Sequence, residues 1–367
     1  MNLPSPFAKE PPFQHGRAAK TAILYCNLGT PDEPTPAALR RYLAQFLSDP
    51  RVVEIPRPIW WLILHGIILR LRPKKSAAKY ARIWTTDGSP LRVWTDKQAK
   101  MLMGWLGQRS HFVTVRHAMR YGQPSIASQL DALKMDGATR ILVFPAYPQY
   151  CASTTASVID DVCDWMRKTR NLPEMRFVRG YHDDPAYIEA LAARVTAYWK
   201  KNGRPDQLLM SFHGVPRRSL DLGDPYHCEC HKSARLLAEK LGLQADQYRI
   251  SFQSRFGRAK WLEPYTEPTL RAMAKAGVKR VDVLCPGFIA DCLETLEEIN
   301  IEARQVFLTA GGKDFHYIAC LNDSSEGITA LCDVASTHLQ GWPTRDKPTA
   351  QSLIDSKQRA MAMGARQ

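Results

Sequence analysis

The chain repeats itself, and an internal repeat of this length restricts the fold more than any single motif does. Residues 113–148 (VTVRHAMRYG…DGATRILVFPAYP) are echoed by residues 249–288 (RISFQSRFG…AGVKRVDVLCPGF), with Arg120-Tyr121-Gly122 falling where Arg255-Phe256-Gly257 falls in the second copy. The two halves also open alike. Asn27-Leu28-Gly29-Thr30-Pro31 and Phe212-His213-Gly214-Val215-Pro216 each close an apolar run with Gly and then Pro. Short β-branched runs alternate with longer segments of helical period, which predicts an α/β protein with parallel sheets. Strands are expected at 22–28, 112–118, 140–145 and 175–180, and again at 207–213, 248–253, 280–285 and 315–321. The expected organisation is a flexible segment 1–20, two similar domains at 21–182 and 183–342 with a hinge near 180–187, and a weakly ordered tail 343–367. In open parallel sheets ligands bind beyond the carboxyl ends of the strands, so the duplication predicts one cleft between two sets of strand ends.

Charge and cysteine usage narrow the function classes. Fifty Lys and Arg against 36 Asp and Glu give a formal charge of +14, which favours an anionic partner. A nucleic-acid binder would interleave cations with stacking aromatics on one module, and no such module is legible. Gly29-Thr30-Pro31 lacks the further glycines of a dinucleotide loop, so no nucleotide is expected. Nine cysteines, an odd number scattered through apparent strands and helices, read as a reducing compartment. The first twenty residues carry four prolines and no apolar signal core, so the expected location is the cytoplasm. The most apolar stretch, 59–71 (IWWLILHGIILRL), is too short for the roughly 20 residues that a membrane span needs.

Three groups of residues could carry chemistry. His213 ends an apolar strand and precedes Gly214 and Pro216, a rigid setting for a group that titrates near neutral pH or ligates a metal. In DCLETLEEINIEA, Asp291, Glu294 and Glu298 are spaced to share one face of an α-helix. Such a row fits a solvated first turn that complements the helix dipole, and it equally fits a ladder that passes cations and protons into the cleft. The stretch 59–82, with Trp60, Trp61, Arg70, Arg72, Lys74 and Lys75, reads either as an amphipathic core helix or as a basic, apolar lip over a flat ligand or a lipid surface. His227-Cys228-Glu229-Cys230-His231 is too crowded for a zinc site, whose paired ligands are usually further apart.

The segment LLMSFHGVPRRSLDLGDPY resembles the signature of ferrochelatases, and NLGTPDEPTPAALRRYLAQFLSDPRVV, YPQYCASTTASV, FQSRFGRAKWLEPYT and CPGFIADCLETLEEI are similar to the same family in the same order. The resemblance implies a chelatase-like fold of two Rossmann-like domains, each a four-stranded parallel sheet flanked by helices, and a reaction that inserts ferrous iron into protoporphyrin IX with loss of two pyrrole protons. It implies that His213 and Glu294 are the essential histidine and glutamate, that Glu298 and Asp291 belong to the same acidic row, and that all four are candidate metal contacts. Leu28, Arg120, Tyr121 and Trp261 match porphyrin-pocket positions, and Arg72, in a lip of about 55–82, matches an arginine near a propionate. Some members hold an iron–sulfur cluster with cysteines of a C-terminal extension and of the YPQY block. Here Ala152 stands at that position, Cys151 precedes it, and no cysteine follows Cys332, so a cluster-free member is expected. The partners implied are protoporphyrin IX and ferrous iron, with a monomer resting peripherally on the inner membrane face through residues 59–71. Metal insertion into another tetrapyrrole and porphyrin carriage without catalysis are the alternatives. A carrier needs no carboxylate row, and an apolar lip suits a substrate with two vinyls and two carboxylates.

Overall fold

The computed structural model describes residues 7–257 and 259–366. Strands β1 (Lys20–Gly29), β2 (Val113–Tyr121), β3 (Ala138–Pro145) and β4 (Glu174–Phe177) form one sheet in the order β2-β1-β3-β4, with every pair parallel. Strands β5 (Gln207–His213), β6 (Tyr248–Gln253), β7 (Arg280–Leu284) and β8 (Asp314–Ile318) form the second in the order β6-β5-β7-β8, again parallel throughout. The same permutation in both sheets is the duplication made visible. Ala22 to Cys26 are wholly buried. Parallel strands have helices on both faces, so they read as continuous apolar runs rather than alternating ones.

The two sheets are not separate globules joined at a hinge. One apolar core takes Tyr25 and Phe144 from the first sheet, Met210 and Phe212 from the second, and Leu102, Tyr187, Leu191 and Leu331 from helices Pro90–Gln108, Pro185–Asn202 and Ser325–His338. The chain passes between the halves at Asp184, whose carboxylate caps helix Pro185–Asn202 by accepting from the N–H groups of Ala186 and Tyr187. Because that helix packs into the common core, both sets of strand ends are held by the same interior.

The described parts of both termini make polar contacts with the body of the protein. Residues 1–6 lie outside the described part, but from Ala8 onward the leading segment is tied down. Ala8 donates to the Lys168 carbonyl, and the Glu10 carboxylate accepts from the N–H groups of Arg170 and Asn171. The tail is likewise not formless. Thr344 is buried, its carbonyl accepts from Phe112 and its hydroxyl bonds the His111 ring, and Thr349 caps a helix over Ala350–Ala362. That helix buries no side chain, so its low apolar content was a true signal. The polar anchors and the cap, which hydropathy does not register, supply the order.

The first sheet depends on one glycine. Gly29, at φ +112°, faces Tyr121 in the β1–β2 register, and a Cβ there would stand 1.7 Å from the Tyr121 carbonyl oxygen. Gly29→Ala should therefore cost about 3 kcal/mol or more of unfolding free energy, from overpacking against backbone in a conformation that L residues avoid. Urea denaturation checks this, and a loss under about 0.5 kcal/mol, the scale of an ordinary surface substitution, would show that the sheet relaxes freely there.

Candidate active site

His213 is the last residue of β5, paired in register with Gln253 of β6. The turn beyond it is tight. Gly214 donates to the Gln253 carbonyl at 2.8 Å, and a Cβ on Gly214 would come within 2.6 Å of that oxygen and 3.4 Å of the Trp261 ring. Trp261 itself is held by an antiparallel bridge to Pro216. The sequence FHG is therefore a requirement of close backbone approach, and it fixes where the imidazole stands, with its ring 6.4 Å from that of Phe288. Burial pushes the His213 pKa below its ordinary 6.5, and Glu294 pulls in the opposite direction. The ring is thus predominantly neutral at pH 7, the form that accepts a proton or offers a lone pair.

The acidic segment does not form the α-helix expected of it. Glu294–Ala303 is a π-helix, whose hydrogen bonds run from i to i+5, so the α-helical spacing argument no longer decides which side chains align. Asp291 lies before it and is committed elsewhere. Its buried carboxylate accepts from the Asn322 amide at 2.6 Å, the Thr295 hydroxyl at 3.0 Å and the Tyr317 hydroxyl. The expected ligand set of His213, Asp291, Glu294 and Glu298 is therefore not a preassembled cage, and no three His, Cys, Asp or Glu side chains among the described residues are grouped to hold a metal ion. Asp291 reads as a structural corner.

Glu294 and Glu298 remain as a pair that interact electrostatically, and the end of β6 holds both. The Gln253 amide donates to the Glu294 carbonyl at 2.9 Å, while the N–H and hydroxyl of Ser254 both donate to the Glu298 carboxylate at 2.6 Å. Ser254 sits in the left-handed region at φ 66°, a conformation that a non-glycine residue keeps only when its surroundings impose it. Despite these donors, burial and the neighbouring Glu294 raise the Glu298 pKa from an ordinary 4.5 to about 7.

The first domain supplies the facing wall. Leu28 packs against both the common core and the cluster beneath the lip. Tyr42 and Tyr80 are buried in that cluster, where burial and then the charge of Glu294, among others, raise the pKa of both phenols. Arg120 lies 4.6 Å over the Tyr121 ring, and both are drawn to Asp49, whose Oδ2 accepts from Arg120 at 2.6 Å, from Tyr121 at 2.8 Å and from Ser157 at 2.6 Å. Tyr121 is wholly buried, so it backs the wall rather than lining an open surface. Arg72 reaches across to the second domain, with its guanidinium 4.4 Å above the ring of Phe256. The lip combines both readings of its sequence. Trp60, Leu64 and Leu69 are buried, whereas Ile59, Trp61, Leu62, Ile67 and Leu71 are 54 to 67% exposed.

Residues 20–339 match the family model described as Ferrochelatase. The chain belongs to the ferrochelatase family. It is 68% identical over 363 residues to a ferrochelatase of Polaromonas sp. strain JS666, covering 98% of this chain and 99% of that one, and 64% identical over 358 residues to a ferrochelatase of Methylibium petroleiphilum strain PM1, with the same coverage. Among solved structures it is similar to the sirohydrochlorin chelatase of Bacillus subtilis subspecies spizizenii in complex with cobalt, with a TM-score of 0.50 over 89% of this chain and 98% of the other. At 13% identity that likeness shows a shared fold alone.

Two cysteine-bearing segments of this family member make contacts of their own. In the crowded 227–231 segment, Glu229 is buried and accepts from the Tyr150 N–H at 2.6 Å and from Arg179 at 3.2 Å, tying the YPQY block to the second domain. Cys228 is exposed and Cys230 buried. Burial pushes the Cys151 thiol up to about 12, and it sits 3.2 Å from the Ser153 hydroxyl. Sequence reasoning missed Asp49, Tyr42, Tyr80 and Ser254. Tyr42, Asp49 and Ser254 lie within the segments that carried the family resemblance and Tyr80 lies in the lip, and the partners of Asp49 and Ser254 lie far along the chain.

A carboxyl whose pKa is higher folded than unfolded binds more protons in the native state, so its contribution to stability is present below pH 4.5 and lost as the pH rises to about 7. Glu298→Gln should abolish that loss, making the variant gain on wild type between about pH 5 and about pH 8 in urea denaturation. Parallel profiles for the two proteins would mean that Glu298 titrates as an ordinary surface carboxylate.

Proposed function

We propose that neutral His213 takes the pyrrole protons, and that Glu294 and Glu298 form the facing acidic side, in the reaction by which this family member inserts ferrous iron into protoporphyrin IX to give protohaem. The observation that carries the assignment is electrostatic. His213 is held in its neutral form by burial, yet it lies within the field of Glu294, so an imidazolium formed during the reaction gains a counter-charge that the resting ring does not need. Two protons must leave as the four nitrogens bind iron. His213 can accept one, and Glu298, with a pKa of about 7, can accept or pass on another near neutral pH. A flat macrocycle hides its lone pairs, and apolar contacts along Leu28 and the lip would offset a distortion of a few kcal/mol. The reading includes no iron–sulfur cluster, because Ala152 stands where cluster-bearing relatives are expected to carry a cysteine.

His213→Ala should lower turnover by about 100-fold or more while porphyrin still binds, and Glu294→Gln should lower it by about 10-fold or more. Both are read by the loss of protoporphyrin fluorescence with ferrous iron, on haem-free protein whose visible spectrum should carry no iron–sulfur bands. Full turnover in the His213 variant removes that residue from the chemistry, and cluster bands would end the cluster-free reading.

The exposed apolar face of the lip, beside Arg70, Lys74 and Lys75, supports peripheral contact with an anionic bilayer on the cytoplasmic side. No described helix is long and apolar enough to cross a membrane. Co-sedimentation with phosphatidylglycerol vesicles should fall on Trp61→Ala with Leu62→Ala, and an unchanged bound fraction would leave the face without a lipid role.

A further inference from the structure

Four acidic side chains of the segment 291–298 have four different settings, and Glu297 has the one that the chemistry above does not use. Its side chain is 1% exposed, and its partners come from the other domain. Lys79 Nζ is 3.1 Å from Oε2, and Arg82 Nη1 is 2.9 Å from Oε1. Lys79 also donates to both oxygens of Glu302, at 2.7 and 2.8 Å, one further turn along the π-helix. Lys79 and Arg82 stand on the helix Leu69–Ile83, which also carries Arg72 over Phe256 and Tyr80 facing Glu294. Leu293, at the head of the acidic segment, packs into the cluster beneath the lip.

Neighbouring residues of the π-helix are therefore pulled in opposite directions. Glu298 is bound to Ser254 of its own domain, while Glu297 is bound to the lip. A helix gripped on two sides has its rotation about its own axis fixed, and a buried carboxylate that lost both cations would be left uncompensated. We propose that Glu297 is a positioning residue: through Lys79 and Arg82 it latches the lip to the π-helix and sets the angle at which Glu294 and Glu298 face His213. The proposal rests on the assignment of Glu294 and Glu298 to the reaction.

Glu297→Gln keeps the side-chain volume and removes the charge, so the full-length variant should fold with a melting temperature within about 4 °C of wild type. In ligand-free protein, amide hydrogen exchange should accelerate in both 69–83 and 294–303. Turnover should fall about 10-fold with the KM for protoporphyrin changed less than about 3-fold, as for a group that orients rather than binds. Raising sodium chloride from about 0.05 to about 0.5 M should depress wild-type turnover more than that of the variant, because the ion pairs half-exposed on the lysine and arginine side are screened only where they exist. Lys79→Met, altered from the lip side, should reproduce the exchange pattern. Wild-type exchange in both segments overturns the latch, and accelerated exchange with unchanged turnover overturns the positioning role. If Glu294→Gln also turns over normally, the failure belongs to the reaction assignment, since exchange is read without substrate.

Discussion

A buried chain of hydrogen bonds decides where the acidic segment stands relative to the first sheet. The Tyr25 hydroxyl of β1 donates to the Gln98 side-chain oxygen at 3.0 Å, and the Gln98 amide donates to the carbonyls of Ile289 at 3.2 Å and Asn322 at 2.8 Å. Asn322, in the left-handed region at φ 49°, then exchanges bonds with Asp291, accepting from its N–H at 2.8 Å and donating to its carboxylate at 2.6 Å. Gln98 is wholly buried, so each of these groups would cost about 1 to 3 kcal/mol if left unpaired. Apolar packing alone permits the domains to slide by a fraction of a side chain. This network does not, and the position of the acidic segment against the first domain inherits its precision.

On that frame the local electrostatics separate groups of similar chemistry. His213 and Glu298 are both half-buried titratable groups on the second domain, and desolvation favours the neutral form of each. For a histidine that means losing a proton, and for a carboxyl it means keeping one. The second domain therefore presents both an acceptor and a group poised near neutrality, a pairing that proton transfer in either direction can use.

The duplication and the eight strands were legible because parallel strands announce themselves as apolar runs, and β5 and β6 begin and end where their runs do. β4 and β8 stop short of expectation, at Phe177 and Ile318, although Val178 just beyond β4 still donates to the Val143 carbonyl of β3 at 3.0 Å. The acids were legible as candidates but not their division of labour. Spacings of three and four suit an α-helix and do not reveal a π-helix, and Asp291 finds Tyr317 and Asn322 at separations of 26 and 31 residues. Asp49 was invisible for the same reason, with Arg120, Tyr121 and Ser157 lying 71, 72 and 108 residues away. Local pattern finds elements, whereas the assignment of one carboxylate among several is settled by partners that only the fold brings near.

The same comparison singles out Glu294. Asp291 has three side-chain donors, Glu297 has two cations and Glu298 has two donors from Ser254. Glu294 has beside it the thiol of Cys292, a weak donor on a group that burial holds protonated. Turning a carboxylate toward an incoming cation or proton means giving up the bonds it already makes, at about 1.5 to 3 kcal/mol for each strong one. By that measure Glu294 is the acid of the row with the weakest hydrogen-bond commitments among the described residues, and the bonds of its three neighbours fix its surroundings.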